Sequence, residues 1–292
     1  MAQSSQPEGL DEIRRDFAER VAGRTRPRDA RVIAAFAKVP RERFLGPGPW
    51  LIRSADGYLR TPDANPIHIY RDILVALEPL QRINNGQPSL HAAAIANLRL
   101  KDGETALHVG AGTGYYTAIL AEVIGTAGRV HGYEIEPRLA ALAKANLAER
   151  DNVTLHDEAD PLTLPQADAI YVSAGAGGPQ PRWLHALNPM GRLIFPLTGD
   201  DGSGVMLLVR RTDDPQVFEA RCLGPVQFIP LVGGHDDIAS PHIAAAWTDG
   251  RLARVRTLIA GRPVEPSSRL LEGDGWWLSS QAMAPKAAPL PE

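Results

Sequence analysis

Apolar residues recur with a helical period near the start of the chain. Positions spaced three and four apart predict amphipathic helices over 10–21 and 29–39, and an alanine-rich helix is predicted over 89–100. The Pro/Gly-rich segment 47–66 is predicted to be a long loop. The pattern therefore indicates a helical region that precedes the main sheet.

From residue 105 onward, short apolar runs alternate with helical periods. The predicted strands are 105–109, 129–134, 153–156, 168–173 and 191–196, and the predicted helices are 115–124, 137–149 and 179–187. Such alternation predicts an α/β fold with a mainly parallel central sheet covered by helices on both faces. The runs 205–210 and 218–228 predict an antiparallel strand pair after this sheet, and one more helix is predicted over 243–259.

The segment LHVGAGTGYY, residues 107–116, joins the strand 105–109 to its helix. Gly110, Gly112 and Gly114 occupy every second position, and glycine allows a tight turn that lies against a ligand without a Cβ atom in the way. The loop is therefore predicted to bind a cofactor. A dinucleotide fingerprint would need glycine at Tyr115, and a P-loop would need a following Gly-Lys-Ser/Thr, so both of these cofactor classes are excluded.

The Gly-x-Gly-x-Gly spacing resembles the first motif of class I S-adenosylmethionine (SAM) methyltransferases. Glu134 supports this interpretation, because it ends the apolar run 130–133, where a carboxylate suits two hydrogen bonds to ribose hydroxyls. His108 stands where such proteins commonly carry an acidic residue. The positions predicted to bind SAM around these two segments are Gly110, Ala111, Gly112, Gly114, Glu134 and Ile135.

The composition restricts the partners, metal sites and location that we expect for this protein. The formal net charge is −3 and no dense basic block occurs, which argues against nucleic acid as a partner. The single cysteine, Cys222, excludes an internal disulfide and a thiolate metal cluster, and no metal site is predicted. We find neither the apolar core of a signal peptide nor a run of about 18 apolar residues. We therefore expect a cytoplasmic protein that does not span a membrane.

Several motifs together resemble the protein-L-isoaspartate O-methyltransferases, over roughly residues 30–235. They are VPRERF at 39–44, Tyr-Arg-Asp at 70–72, the glycine loop followed by Tyr115, Glu134 with Pro137, ADAIYVSA at 167–174, NPMGRLIFPL at 188–197 and VQFIPLVGG at 226–234. The resemblance implies a Rossmann-like class I methyltransferase that uses SAM to methylate a carboxylate of an aspartyl or isoaspartyl residue. A carboxylate is already ionised at neutral pH, so this chemistry needs orientation and exclusion of water rather than a strong base.

The chain departs from this family just before the glycine loop. The family carries Thr-Ile-Ser-Gln-Pro there, with a serine regarded as catalytic. Gln87-Pro88 align with its Gln-Pro, which places Asn84, Asn85 and Gly86 on the Thr-Ile-Ser positions. These three are the predicted catalytic positions: Asn85 is expected to supply an amide donor to a carboxylate, and Gly86 to leave room for a different acceptor. By composition, Asn-Asn-Gly is equally well a plain turn.

Three further residues are assigned to the cofactor through the same resemblance. Gln87 adjoins the predicted catalytic positions, and His91 falls where some family members carry a cofactor-contacting histidine. A packed, partly buried histidine is the alternative interpretation of His91. The family's Gly-Asp-Gly corresponds to 158–160, so Asp160 is the predicted adenine contact if that loop slips by one residue.

The sequence leaves the identity of the methyl acceptor open between three hypotheses. The first hypothesis is a carboxyl methyltransferase for aspartyl or isoaspartyl groups in a protein or peptide. The second is the same scaffold with another acceptor, such as a natural-product peptide or a small-molecule carboxylate. The third is a SAM-binding protein without turnover. The sequence does not predict an oligomeric state.

The predicted organisation has five regions. They are a disordered start (1–9), an N-terminal helical and lid region (10–88), a SAM-binding core (89–234), a C-terminal extension (235–282) and a disordered tail (283–292).

Overall fold

A computed structural model of the chain describes residues 9–157 and 163–283. By its contacts the chain divides into two units, Met1–Ser173 and Ala174–Glu292. Residues 1–9 and 283–292, which are expected to be disordered, lie almost wholly outside the described residues. Their disorder stays a prediction, as does the division into five regions.

The first unit is built on four parallel strands. Its helices are α1 (Leu10–Val21), α2 (Ala30–Lys38), α3 (Pro88–Leu98), α4 (Tyr115–Ile124) and α5 (Pro137–Leu147). Its strands are β1 (Leu51–Ser54), β2 (Gly57–Arg60), β3 (Ala76–Glu78), β4 (Ile83–Asn84), β5 (Thr105–Val109), β6 (Arg129–Tyr133), β7 (Val153–His156) and β8 (Ala167–Val172). The parallel order is β8-β5-β6-β7, with Leu107 of β5 opposite His131 of β6 and Ile170 of β8. The predicted parallel sheet is therefore confirmed.

Local sequence explains where these helices begin. Asp29 accepts a hydrogen bond from the backbone N–H of Arg31 at the start of α2, and Glu136 accepts one from Leu139 at the start of α5. Such caps satisfy N–H groups that have no partner within the helix. In α4, nine of the ten residues are buried, so it is an internal helix rather than an amphipathic surface helix.

The long loop predicted over 47–66 is wrong in part. Strands β1 and β2 form an antiparallel hairpin within it, with Leu51 opposite Arg60. The guanidinium of Arg53 lies 5.6 Å from the ring centroid of Tyr58 on the partner strand. The Pro and Gly residues that suggested a loop fall mainly in the segments on either side of these short strands.

The second unit is a set of antiparallel strands with two short helices. The helices are α6 (Pro181–Ala186) and α7 (Ile243–Thr248), and the strands are β9 (Leu187–Thr198), β10 (Ser203–Arg211), β11 (Val217–Gln227), β12 (Thr257–Ala260), β13 (Arg269–Gly273) and β14 (Trp276–Ser279). Their order is β9-β10-β11-β12-β14-β13. The predicted antiparallel pair is β10 with β11, and three strands from the C-terminal extension continue the array.

The helix predicted over 243–259 is wrong in its extent. It begins at Ile243 but ends at Thr248, and β12 occupies the end of the predicted span. The physical reason is Gly250, whose φ of 78° lies in the left-handed region and stops the helix.

A buried carboxylate holds the turn between β13 and β14. Asp236 accepts hydrogen bonds from the indole Nε1 of Trp276 at 2.8 Å and from the backbone N–H of Asp274 at 3.0 Å. Trp276 is buried, so it packs within this unit rather than facing solvent.

No helix between residues 9 and 157 or between 163 and 283 is long and apolar enough to cross a membrane. In that same part of the chain, no group of three or more His, Cys, Asp or Glu side chains is arranged to hold a metal ion.

Candidate cofactor and acceptor site

The glycine loop between β5 and α4 adopts a backbone that favours glycine. Gly110, Gly112 and Gly114 have φ values of 78°, 58° and 94°, all in the left-handed region. A Cβ on Gly114 would lie only 2.8 Å from Cδ1 of Leu147, so close packing requires glycine there. A Cβ on Gly112 would meet nothing nearer than Leu77, at 3.7 Å. Only the end of the Leu77 side chain lies within contact distance of this position, which leaves room for a ligand beside Gly112.

Glu134 lies directly after β6 and faces this loop. Its Oε2 accepts a hydrogen bond from the backbone N–H of Gly112 at 2.6 Å, and its Oε1 accepts one from Glu136 at 3.0 Å. Burial raises the pKa of Glu134, and these backbone N–H groups oppose that rise by stabilising the charge. The backbone N–H of Ile135 also donates to this carboxylate, which keeps capacity for a further donor.

The loop is tied to the end of β6 by its own backbone. The N–H groups of Gly110 and Ala111 both donate to the carbonyl of Tyr133, at 2.9 and 3.0 Å. Ile135 follows Glu134 and is partly exposed. The structure thus brings the predicted residues of the loop and of the end of β6 together at the carboxyl edge of the parallel strands. Asp160 lies outside the described residues.

Two observations indicate that these residues can hold SAM. Space is open above Gly112, where a Cβ would meet only the end of the Leu77 side chain. Glu134 keeps acceptor capacity beyond its backbone donors, which a ribose hydroxyl can use.

The predicted acceptor positions form a turn between β4 and α3. Oδ1 of Asn84 accepts a hydrogen bond from the backbone N–H of Gly86 at 2.8 Å, which is an Asx turn. Gly86 has a φ of 74°. The backbone N–H of Asn85 donates to the carbonyl of Val75 at 2.8 Å, and its side chain is buried. The turn geometry indicated by Asn-Asn-Gly is present, and the chemical role of these residues stays a prediction.

Gln87 is held at the beginning of α3. Its Nε2 donates to Asp72 at 2.9 Å, and Asp72 also accepts from the backbone N–H and the hydroxyl of Ser89, at 2.8 and 2.6 Å. Asp72 therefore caps α3 and links it to the preceding segment. This arrangement explains why Gln87 is fixed, and its assignment to the cofactor stays a prediction.

His91 lies in an aromatic cluster against Gly86. Its ring stacks on Tyr116 with centroids 3.7 Å apart, and Nδ1 is 2.6 Å from the hydroxyl of Tyr171. Burial drives the pKa of His91 well below its usual range, and the neighbouring His108 and Arg41 push it the same way. A neutral, packed imidazole is therefore present here, and contact with the cofactor stays a prediction.

His108, at the position where an acidic residue is common, is a buried hydrogen-bonding residue. Its Nδ1 is 2.8 Å from the hydroxyl of Thr117, and its Nε2 is 2.9 Å from that of Ser173. Burial lowers the pKa of His108 to about 3, so the ring is neutral at physiological pH. The side chain therefore links β5, α4 and the residue after β8.

Sequence reasoning missed Arg41, which is fully buried beside Asn85. Its guanidinium donates to the carbonyls of Ile69, Arg71 and Ile73 and, through Nε, to Oδ1 of Asn85 at 3.4 Å. The 39–44 motif contains two arginines, Arg41 and Arg43, and no local signal in it indicates which of them is buried.

Comparison with known proteins agrees with this geometry. The sequence model of the protein-L-isoaspartate(D-aspartate) O-methyltransferase family matches residues 19–236. A protein-L-isoaspartate O-methyltransferase of Roseiflexus castenholzii is 33% identical over 212 residues, which cover 71% of this chain and 86% of the relative. Another of Methylorubrum extorquens is 37% identical over 212 residues, covering 71% of this chain and 82% of the relative.

Solved structures give the same fold. A protein-L-isoaspartate O-methyltransferase superposes with a TM-score of 0.59 at 23% identity, covering 74% of this chain and 65% of that one. A Plasmodium falciparum chain assigned to this family, in complex with S-adenosyl-L-homocysteine, superposes with a TM-score of 0.58 at 20% identity, covering 75% and 97%. The predicted class I methyltransferase fold is confirmed, and so is SAM as the cofactor. The chain belongs to the protein-L-isoaspartate(D-aspartate) O-methyltransferase family.

Proposed function

We propose that this chain transfers a methyl group from SAM to the carboxylate of an isoaspartyl or aspartyl residue in a protein or peptide. The observation that carries the proposal is the pairing of Glu134 with the open Gly112 loop, in a chain that the family model matches over 19–236. Bound SAM would supply the methyl group as an electrophile. The protein's own contribution is to hold both reactants in line and to exclude water.

The cofactor is assigned to two neighbouring segments. The backbone of Gly110, Ala111, Gly112 and Gly114 would follow the donor closely, since no Cβ intervenes at the three glycines. Glu134 would accept hydrogen bonds from the ribose hydroxyls, with Ile135 beside it. Gln87, His91 and Asp160 complete the proposed cofactor set.

The acceptor is assigned to the turn formed by Asn84, Asn85 and Gly86. An ionised carboxylate needs no base to become a nucleophile, because it carries its charge at neutral pH. A neutral amide can orient it through a hydrogen bond without placing a second charge against it. The Asn85 amide suits this task.

A second candidate function is methylation of another carboxylate on the same scaffold, for example in a natural-product peptide or small molecule. The observation that favours it is the arrangement at Gly86, where no side chain exists and His91 fills the adjacent space. A cytoplasmic location and a protein, peptide or small-molecule acceptor remain parts of the proposal.

The test is transfer from labelled SAM to a synthetic peptide with a single L-isoaspartyl residue. We expect a base-labile methyl ester on this peptide. A parallel calorimetric titration with S-adenosylhomocysteine establishes donor binding. Binding without transfer to the isoaspartyl peptide would favour the second candidate, and absence of binding would contradict both.

A further inference from the structure

Arg41 is a buried cation whose hydrogen-bond partners are all neutral. Four contacts engage its guanidinium: the carbonyls of Ile69, Arg71 and Ile73 and the amide oxygen of Asn85. No carboxylate in the described part of the chain forms an ion pair with it. A buried charge without a counter-ion is costly unless it is well hydrogen-bonded. Arg41 therefore makes the region around Asn85 electropositive.

The bond to Arg41 fixes which way the Asn85 amide points. Nε of arginine can only donate, so the amide oxygen must face Arg41 and Nδ2 must point away. Within the described residues Nδ2 of Asn85 has no hydrogen-bond partner. Asn85 is buried, with 7% of its surface exposed, and Nδ2 is not among the fully buried atoms that lack a partner.

Polarisation strengthens this donor. An amide whose oxygen accepts from a cation has more positive N–H groups, because hydrogen bonds in a chain reinforce each other in a low dielectric. The hydrogen bond from Nε of Arg41 to Oδ1 of Asn85 is long, at 3.4 Å, so it contributes little energy of its own. Its main effects are to orient the amide and to expose it to the positive charge of Arg41. An oriented and polarised N–H₂ group beside a buried cation is suited to bind an anion.

We propose that Arg41 is a positioning residue for the acceptor, holding Asn85 so that Nδ2 binds the oxygen of a carboxylate. The identity of that carboxylate as an isoaspartyl group rests on the proposed function. The carboxylate-binding property itself rests on the geometry of Arg41 and Asn85. The two claims therefore need separate readouts.

The sharpest variant is Asn85→Asp, which keeps the shape of the side chain. It removes the donor and places a carboxylate against Arg41, so the melting temperature should hold or rise. The KM for the isoaspartyl peptide should nevertheless increase about tenfold or more, because a charge-assisted hydrogen bond is replaced by repulsion. Affinity for S-adenosylhomocysteine should change by less than about threefold. A purely structural role for this contact predicts an unchanged KM, and that result would overturn the proposal.

Arg41 itself is tested by one variant that removes its charge and one that keeps it. Arg41→Met should raise the peptide KM about tenfold, and Arg41→Lys should recover much of that loss by restoring the cation. If Arg41→Met does not fold, Asn85→Asp still decides the question. Asn65→Asp, on an exposed loop, is the matched control for replacing an amide by a charge.

The second readout does not depend on turnover. Protein labelled with nitrogen-15 asparagine and loaded with S-adenosylhomocysteine is titrated with sodium acetate, a carboxylate alone. The side-chain amide signal of Asn85 should shift in the wild type and in Arg41→Lys, but not in Arg41→Met. A shift with acetate but no methylation of the isoaspartyl peptide would contradict the proposed function and support this inference. No shift with acetate would overturn the inference, whatever the enzyme methylates.

Discussion

The imidazole of His91 occupies the space that a side chain at Gly86 would need. An ideal Cβ on Gly86 would overlap Nε2 of His91 and lie 2.8 Å from Cδ2. Gly86 also has a φ of 74°, which penalises any other residue. In this chain, therefore, the position of the His91 imidazole leaves no room for a side chain at Gly86.

This relationship predicts how the turn responds to a restored hydroxyl. Gly86→Ser should lower stability by about 3 kcal/mol, through the overlap with His91 and the left-handed backbone, and should not raise turnover. Measured against His91→Ala alone, where the overlap is absent, Gly86→Ser should cost only about half as much. Urea unfolding of the two single variants and of the double variant measures the effect. A single Gly86→Ser variant as stable as the wild type would show that the two residues do not compete for space.

Glu134 is predicted to hold the cofactor rather than the fold. Glu134→Ala should weaken S-adenosylhomocysteine binding by about 1–3 kcal/mol, since hydrogen bonds from ribose hydroxyls to a carboxylate are lost. Calorimetric titration measures this change. Glu136→Gln is the matched control, because the amide oxygen can still cap α5 through the N–H of Leu139. Equal affinities for the Glu134→Ala variant and the wild type would remove Glu134 from the site.

Substitutions at Gly112 and Gly114 should affect cofactor binding and folding stability to different extents. Gly112→Ala places a methyl group in open space, so it should cost only about 1 kcal/mol of stability while obstructing the cofactor. Gly114→Ala forces a methyl group against Leu147, and should cost about 3 kcal/mol or more. Thermal melts with and without S-adenosylhomocysteine distinguish the two variants. A ligand-induced shift in Gly112→Ala as large as in the wild type would argue against close approach at this position.

Because His108 is buried and neutral, we expect the free energy of unfolding to fall in mild acid. Its pKa of about 3 in the fold lies below the ordinary value of 6.5, so the unfolded chain takes up the proton first as the pH falls. The contribution of His108 to the free energy of unfolding is complete above about pH 6.5. Below that pH it declines by about 1.4 kcal/mol per pH unit. His108→Asn should therefore flatten the dependence of the unfolding free energy on pH between about pH 6 and 4. His242→Asn, at an exposed histidine, controls for loss of a histidine as such. A parallel pH dependence in His108→Asn and the wild type would contradict the assignment.

The parallel sheet and the cofactor loop were predictable because their signals are local. Continuous apolar runs define β5 and β6, and three spaced glycines between Val109 and Tyr115 are hard to explain otherwise. The hairpin β1–β2 and the strands of the C-terminal extension were not predicted, because short strands lack a distinct period. The roles of Arg41 and His91 depend on contacts between distant segments, namely with Asn85 and Gly86, which no local pattern contains.

The central claim is tested most directly by comparing two peptides that differ only in one linkage. One carries an L-isoaspartyl residue and its twin an ordinary L-aspartyl residue, and kcat/KM for each is measured as base-labile methyl ester formed by the wild-type protein with SAM. We predict ester formation on the isoaspartyl peptide, at least about tenfold faster than on the twin. Binding of SAM without ester formation on either peptide would contradict it.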